Sequence, residues 1–452
     1  MRNRISLLII CCCAVTVSAR EAYERDFQKT LTLAGGQSLR VDNSNGNVTV
    51  RTHAGAEASI RATIRTSAPT AAEAHDFANQ IQIVVDESAS GATVRTGYPK
   101  NWHGNISYSV DYEITMPETA PLEIRNRFGG VTADHVHAGA IIINNNGQVI
   151  LSAGRGTQRI ENSFGDVEVR SNDGDVTIRN GNGRVTASDV HGTLDLVNRF
   201  GDTRVTDAGR GLTIHSNNGN IEATNVGGVA VVTNSFGQVV VANVKSDLKV
   251  QNQNGDVRAH DVTGSAELAT SFAPIQFARI GKTLTVRATN STIMGDSVGE
   301  SATVETTFGG VDLRGVKGPA RVTAGNSSIR LAGVGGEVYA KTSFNGVTIS
   351  DAAGPITVES ANGSVTVEPK GGQGCQPISL HTSFGPIRVT APAGVGYNMT
   401  ARTSFGRIHS ELEMTVTGDV SNEDLNGKIA GGGCELRLMD QNGDIDILKG
   451  HR

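Results

Sequence analysis

Four aspartates, Asp166, Asp175, Asp202 and Asp256, each follow a glycine in this chain of 452 residues. A pair of carboxylates roughly 5 to 9 Å apart is what glycoside hydrolysis requires. If eighteen residues make one coil, Asp166 and Asp202 share an edge two coils apart, about 10 Å. The simpler reading is that they are turn residues bonding local backbone. His135 and His137 are two apart on one strand, hence on one face. A zinc site needs two further ligands, and the equivalent places one unit on hold Ala153 and Arg155. A calcium-binding roll needs G-G-x-G-x-D nonapeptides, and Asn182-Gly183-Arg184-Val185 is no such repeat. No catalytic, cofactor-binding or metal-ligating residue is therefore expected. An exposed Thr row for ice binding is absent, because the equivalent positions Ile141, Arg159, Thr177 and Asp195 are mixed. No series of exposed aromatics is predicted on the strand faces. The one aromatic and partly basic cluster is Tyr98, Lys100, Trp102 and His103. It reads as a candidate ligand loop or as a cover for the end of the repeat.

The elements that would position these residues follow from a strict repeat. Phe128, Phe164, Phe200, Phe236, Phe272, Phe308 and Phe344 recur every 36 residues. Asn146, Asn182, Asn218, Asn254, Asn290, Asn326 and Asn362 lie midway between and after them. Together they mark fourteen units of 18 residues with no insertion from 128 to about 379. A fixed short period is the mark of a repeat architecture. The residue after the marker is Gly in ten of the fourteen units, and the third after it is always β-branched, as in Val167, Val185 and Thr203. Apolar residues also recur two apart, as in Leu248 and Val250, which is the alternation of a strand. Each unit reads as turn, strand, turn, strand.

A unit this small cannot bury its own apolar face and must stack on its neighbours. In-register stacking at about 4.8 Å per coil gives parallel sheets and a rod of roughly 65 Å. Apolar burial, at about 25 cal/mol per Å², holds it together. Two residues before the marker stands a second column: Asn126, Asn144, Asn162, Asn180, Asn198, Ser216, Asn234 and Asn252. By alternation these point inward, where stacked amides can bond along the column. The Phe row is expected to be core, each ring covering an Asn-Gly turn. A coil of 18 residues is favoured over one of 36, whose perimeter Val and Ala would not fill.

Composition agrees. The chain holds 55 Gly, 11 Pro and one Trp, with 4% aromatics. Its 40 basic and 45 acidic residues are scattered and give a formal net charge of −5. No basic block marks a nucleic-acid footprint, and no run of 18 apolar residues predicts a membrane-spanning helix. Residues 1–19 read as an export signal, with Arg2 and Arg4, an apolar stretch from Leu7 to Val17, and small residues at Val17-Ser18-Ala19. Cleavage leaves a charge of about −7. A lipid-anchored alternative would use Cys11, Cys12 or Cys13, but bulky Ile10 disfavours it. The remaining Cys375 and Cys434 allow one pairing, which export permits. Regular stacking would hold them apart, whereas the flanking Gly371-Gly372 and Gly431-Gly432-Gly433 can bend them together, so the bond is left open.

The expected class is all-β, a parallel β-solenoid of the β-helix or β-roll kind with 18-residue coils and one short N-terminal helix. Residues 20–127 form a β-rich capping segment, 128–379 the regular solenoid and 380–452 irregular terminal coils. Within the cap, Thr70-Ala71-Ala72-Glu73 predicts a helix over 71–80, and Asn45-Gly46-Asn47-Val48 is an isolated copy of the repeat. Covering the first coil would protect an open sheet end.

The order N-G-N-V, helix, strands, V-D-Y-E-I-T-M-P (residues 110–117) and then repeated x-[FN]-G-x-[VI] resembles the bacterial adhesin-like, or toastrack-like, β-solenoid family. Gly427-Lys428-Ile429-Ala430-Gly431 and Gln441-Asn442-Gly443-Asp444-Ile445 are similar to its closing unit. The resemblance covers about residues 21–449 and rests on turn and core positions. It implies an exported envelope protein without known catalysis, periplasmic, at the cell surface or secreted. The partner expected is an envelope polysaccharide or envelope protein, with no nucleic acid and no cofactor. The alternatives are an envelope-stress sensor or scaffold that binds a membrane protein, and a carbohydrate-active enzyme on the same fold.

Overall fold

The computed structural model describes residues 20–100, 104–372, 374–416 and 421–450. The predicted leader, Trp102 and His103 lie outside them. Among the described residues the protein is nearly all β, a parallel β-solenoid of about 15 turns with a single short helix. Two compact units divide at Val136 and His137.

In the second unit, His137–Arg452, each coil gives one strand to each of two parallel sheets. Gln158–Phe164 and Val167–Asn172 form one coil, and Val176–Asn182 with Val185–Val190 form the next. Val167 pairs with Val185, and Val185 with Thr203. In the opposite sheet Ile160 pairs with Ile178, and Ile178 with Leu196. The step is therefore 18 residues. These six side chains are essentially inaccessible to solvent. The core is two facing columns of Val, Ile, Leu and Ala, built by alternation along each strand.

The order of coils departs from the order of the chain at the far end. The coil formed by Cys434–Met439 and Ile445–Lys449 does not stack last. Cys434–Met439 lies between Ile378–His381 and Tyr397–Arg402, parallel to both. Ile445–Lys449 lies between Ile387–Ala391 and Ile408–Ser410. The strand Asp424–Ile429 then runs antiparallel to Tyr397–Arg402 and to Met414–Val416.

The first unit, Met1–Val136, does the same. The coil formed by Ser38–Asp42 and Val48–His53 is inserted between two later coils. Leu39 pairs with Ala92 and with Leu122, and Val48 with Tyr112 and with Val131. The copy of the repeat at Asn45 is therefore not isolated, because Asn45 bridges Phe128 in register. Antiparallel strands Glu57–Ala68 and Gln82–Ser88 flank this stack. The helix Ala71–Gln80 starts where predicted, with the Thr70 hydroxyl accepting the Glu73 N–H at 3.3 Å. It buries Ala74, Phe77 and Ala78.

Close stacking explains the glycine after the marker. Gly165 has φ 127°, and a Cβ there would lie 2.2 Å from the Gly147 carbonyl oxygen of the neighbouring coil. Gly165→Ala is expected to lower stability to urea by about 1–3 kcal/mol. Gly371→Ala, where a Cβ meets nothing within 4 Å, should change the same midpoint by less than about 0.5 kcal/mol.

Candidate functional site

The corner that carries the Phe and Asn markers is built from inside outward. Asn162 Nδ2 donates to the Gly165 carbonyl at 3.0 Å and to Gly147 at 3.3 Å. Asn252 Nδ2 likewise holds Gly237 at 2.8 Å and Gly255 at 2.9 Å. The buried amides thus pin the turn of their own coil and of the one before. Amide-to-amide bonds occur in Asn144 to Asn162 and Asn180 to Asn198, both 3.2 Å. The expected column is real, but turn carbonyls are its more frequent acceptors. Further along, Thr306 and Thr342 donate to the carbonyls of Phe308 and Phe344.

The Phe side chains themselves are not core, which corrects the expectation. Phe128, Phe164, Phe200, Phe236, Phe272, Phe308, Phe344, Phe384 and Phe405 are 46% to 79% exposed. The marker sits where the strand leaves the sheet for the turn, so the inward alternation has already ended. Phe164 pairs across the ladder with Asn182, and Asn182 with Phe200. An exposed aromatic series therefore does exist, at the edge and not on the strand faces.

The alternation survives where chain order breaks. Phe384 bridges Asn362 on one side and Asn442 on the other. Phe405 follows, its strand partner Ile408 sharing Ile445 with Ile387. In the first unit the register of Ser38 with Gly91 places Tyr98 opposite Asn45, and Asn45 bridges Phe128. Tyr98 is thus the aromatic of its own coil. Its hydroxyl donates to Asn43 Oδ1 at 2.9 Å and accepts the Asn45 N–H at 3.2 Å. Its ring lies 5.2 Å from that of Tyr108, and burial pushes its phenol well above the ordinary range. Tyr98 is tied through its hydroxyl to the turn below it. Lys100 is exposed.

Shallow grooves lie beside this edge. One, with a volume of about 570 Å³, runs from Phe164 to Phe200 across Asn182 and carries Glu161, Arg179 and Arg199. Another, of about 390 Å³, carries Thr233, Ser235, Gln251, Gln253, Ser271 and Arg287. Arg179 forks onto Asp195 at 3.1 and 2.7 Å. That bond holds the Asp195 carboxyl below its usual range and the guanidinium above.

The aspartates are struts between coils. Asp166 Oδ1 accepts the Arg184 N–H, Asp175 that of Thr193 and Asp202 that of Asn220, at 2.8 to 2.9 Å. The backbone they bond belongs to the next coil and not to their own turn. The Thr193 N–H keeps Asp175 below the usual carboxylate range. Asp256 pairs with Arg258 at 3.6 Å. His135 is not on a strand, because Val131–Asp134 ends before it and its φ is 56°. Among the described residues no group of three or more His, Cys, Asp or Glu converges on a metal-sized site.

A second corner escaped the sequence reading. Seven residues after the marker the backbone turns left-handed in coil after coil, at Asp189, Asp207, Asn225, Asn243 and Asp261 among others. Asn and Asp tolerate that conformation best after Gly. They bond along the stack, Asn225 to Asp207 at 2.8 Å and Asn243 to Asn225 at 3.0 Å. Their spacing of 18 was the available signal.

Cys375 and Cys434 are joined, with Cα atoms 5.6 Å apart. Sequence spacing suggested non-adjacent units, but the inserted coil makes their strands neighbours through Ile378 and Leu436.

This architecture is that of a repeat-built β-solenoid with an aromatic edge. The Toastrack DUF4097 family profile matches residues 36–272 and 212–448, and the chain belongs to that family. No curated protein matches it. One similar solved structure is of a candidate cell-adhesion protein from Clostridium sporogenes. It is 8% identical, with a TM-score of 0.17 over 95% of this chain and 100% of that one. Likeness at that level carries no weight for fold or role. Among the described residues no helix is long and apolar enough to cross a membrane.

Two predictions follow from these contacts. Burial pushes the Tyr112 phenol up to about 12, above the ordinary 10. The neutral form is the one the fold favours, so its stabilisation is complete below pH 10 and lost as pH rises through 12. Denaturation midpoints should fall across that window, and Tyr112→Phe should flatten the fall. The disulfide closes a loop of 59 residues, worth about 4 kcal/mol by chain entropy. Cys375→Ala with Cys434→Ala should speed hydrogen exchange in 424–449 while leaving 158–208 protected.

Proposed function

We propose that the protein is an exported, non-enzymatic, adhesin-like binding module of the cell envelope. One observation carries this reading: in the second unit an aromatic row, from Phe164 to Phe405, stays half in solvent. Aromatic rings left half in solvent at a fixed step offer a regular surface for recognition. Three of the four aspartates offered for catalysis are bonded to the neighbouring coil's backbone, and the fourth to an arginine. A repeat stack also supplies an extended, rigid face suited to large partners.

The test is to incubate the purified chain with cell-envelope fractions and with a panel of plant and bacterial polysaccharides. Retention and released reducing or unsaturated ends are measured together. Retention on envelope material without release is the expected result. Release that disappears in Asp202→Asn would show an enzyme instead, and absence of retention on every fraction would remove the binding role.

A further inference from the structure

We propose that the Phe edge binds an extended β-1,4-linked glycan lengthwise, one disaccharide to each Phe. This rests on the reading of the protein as a binding module and names its ligand class. Successive rings stand two coils apart, and two strand spacings are about 9.6 Å. That is close to the length of two sugars in a fully extended β-1,4-linked chain. Such a chain has a two-fold screw, so the same face recurs at every second sugar. A surface that alternates Phe with Asn has the matching symmetry: an apolar ring face can stack on Phe, and the next sugar meets an amide.

Three observations favour a glycan over a folded protein. First, the site repeats at a fixed step, which a polymer with a translational repeat matches along its length, whereas most folded partners present an aperiodic surface. Second, the rings are kept apart by Asn and Gly, so no contiguous apolar patch forms of the kind that centres a protein interface. Third, the grooves beside this edge are lined by hydroxyls, amides and a few charges, among them Asn145, Ser163, Arg179, Gln251 and Ser271. These are the donors and acceptors that sugar hydroxyls need. The alternation is also kept by Asn442, which reaches its slot between Phe384 and Phe405 from the far end of the chain. Tandem duplication alone does not place it there.

The experiment titrates the full chain with soluble cello- and chito-oligosaccharides of increasing length, with α-1,4-linked malto-oligosaccharides as control. Affinity should rise with length for the β-linked series only. Replacing Phe164, Phe200 and Phe236 together by Leu keeps apolar cover on the turns but removes the ring faces. It should weaken binding of the longest probe by about tenfold or more through lost multivalency, with an unchanged urea midpoint. Phe200→Trp, which keeps an aromatic face, should retain affinity even if the triple variant folds poorly. Equal binding by the Leu and wild-type chains would overturn the proposal, as would equal affinity for the α-linked series. If the wild type is held by envelope fractions but by neither β-linked series, the glycan assignment fails and the binding role stands. If nothing retains it, both fail.

Discussion

Each coil is held to the next by backbone hydrogen bonds that run along the stack, and this leaves a turn no freedom to be wider than its neighbour. The carbonyl of Gly147 lies where a Cβ of residue 165 would be. At that distance the turn must be glycine or must shift. Once the turns are fixed in file, the β-branched residue three positions on is fixed in file too, and Val167, Val185 and Thr203 meet. The buried amides act on the same place from inside, since Asn162 and Asn252 each hold two successive turn carbonyls. Asp166 and Asp202 act on it from outside, each accepting a backbone N–H one coil away. Core, turn and rim are thus tied to one repeat length.

Charged side chains along the stack are tied to one another across coils. Arg179 and Asp195 satisfy each other, as do Arg279 and Asp261 at 2.5 and 2.8 Å. The side chains left facing solvent in a regular pattern are rings, amides and hydroxyls.

Much of this was legible in the residues. The period, the strand alternation, the inward amides and the helix at 71–80 follow from spacing and from capping chemistry. Three features were not. Whether Phe164 faces in or out depends on where the strand ends, and a one-residue difference there inverts the answer. The insertion of the coil 434–449 between earlier coils is invisible to any reading that assumes neighbours in sequence are neighbours in space. For the same reason the Cys375–Cys434 pair was undecidable from spacing. The aspartates Asp166 and Asp202 were read as local because turn motifs normally are, whereas parallel stacking brings residue i+18 as near as residue i+2.

The alternation of ring and amide sets a rule for how such a chain can grow. Excising one coil from the regular stretch would set two phenylalanines, or two asparagines, side by side, although every strand would still find its partner. Excising two would leave the edge unchanged. Lineages carrying this edge should therefore differ in length by even numbers of coils, with the gene gaining or losing thirty-six codons at a time.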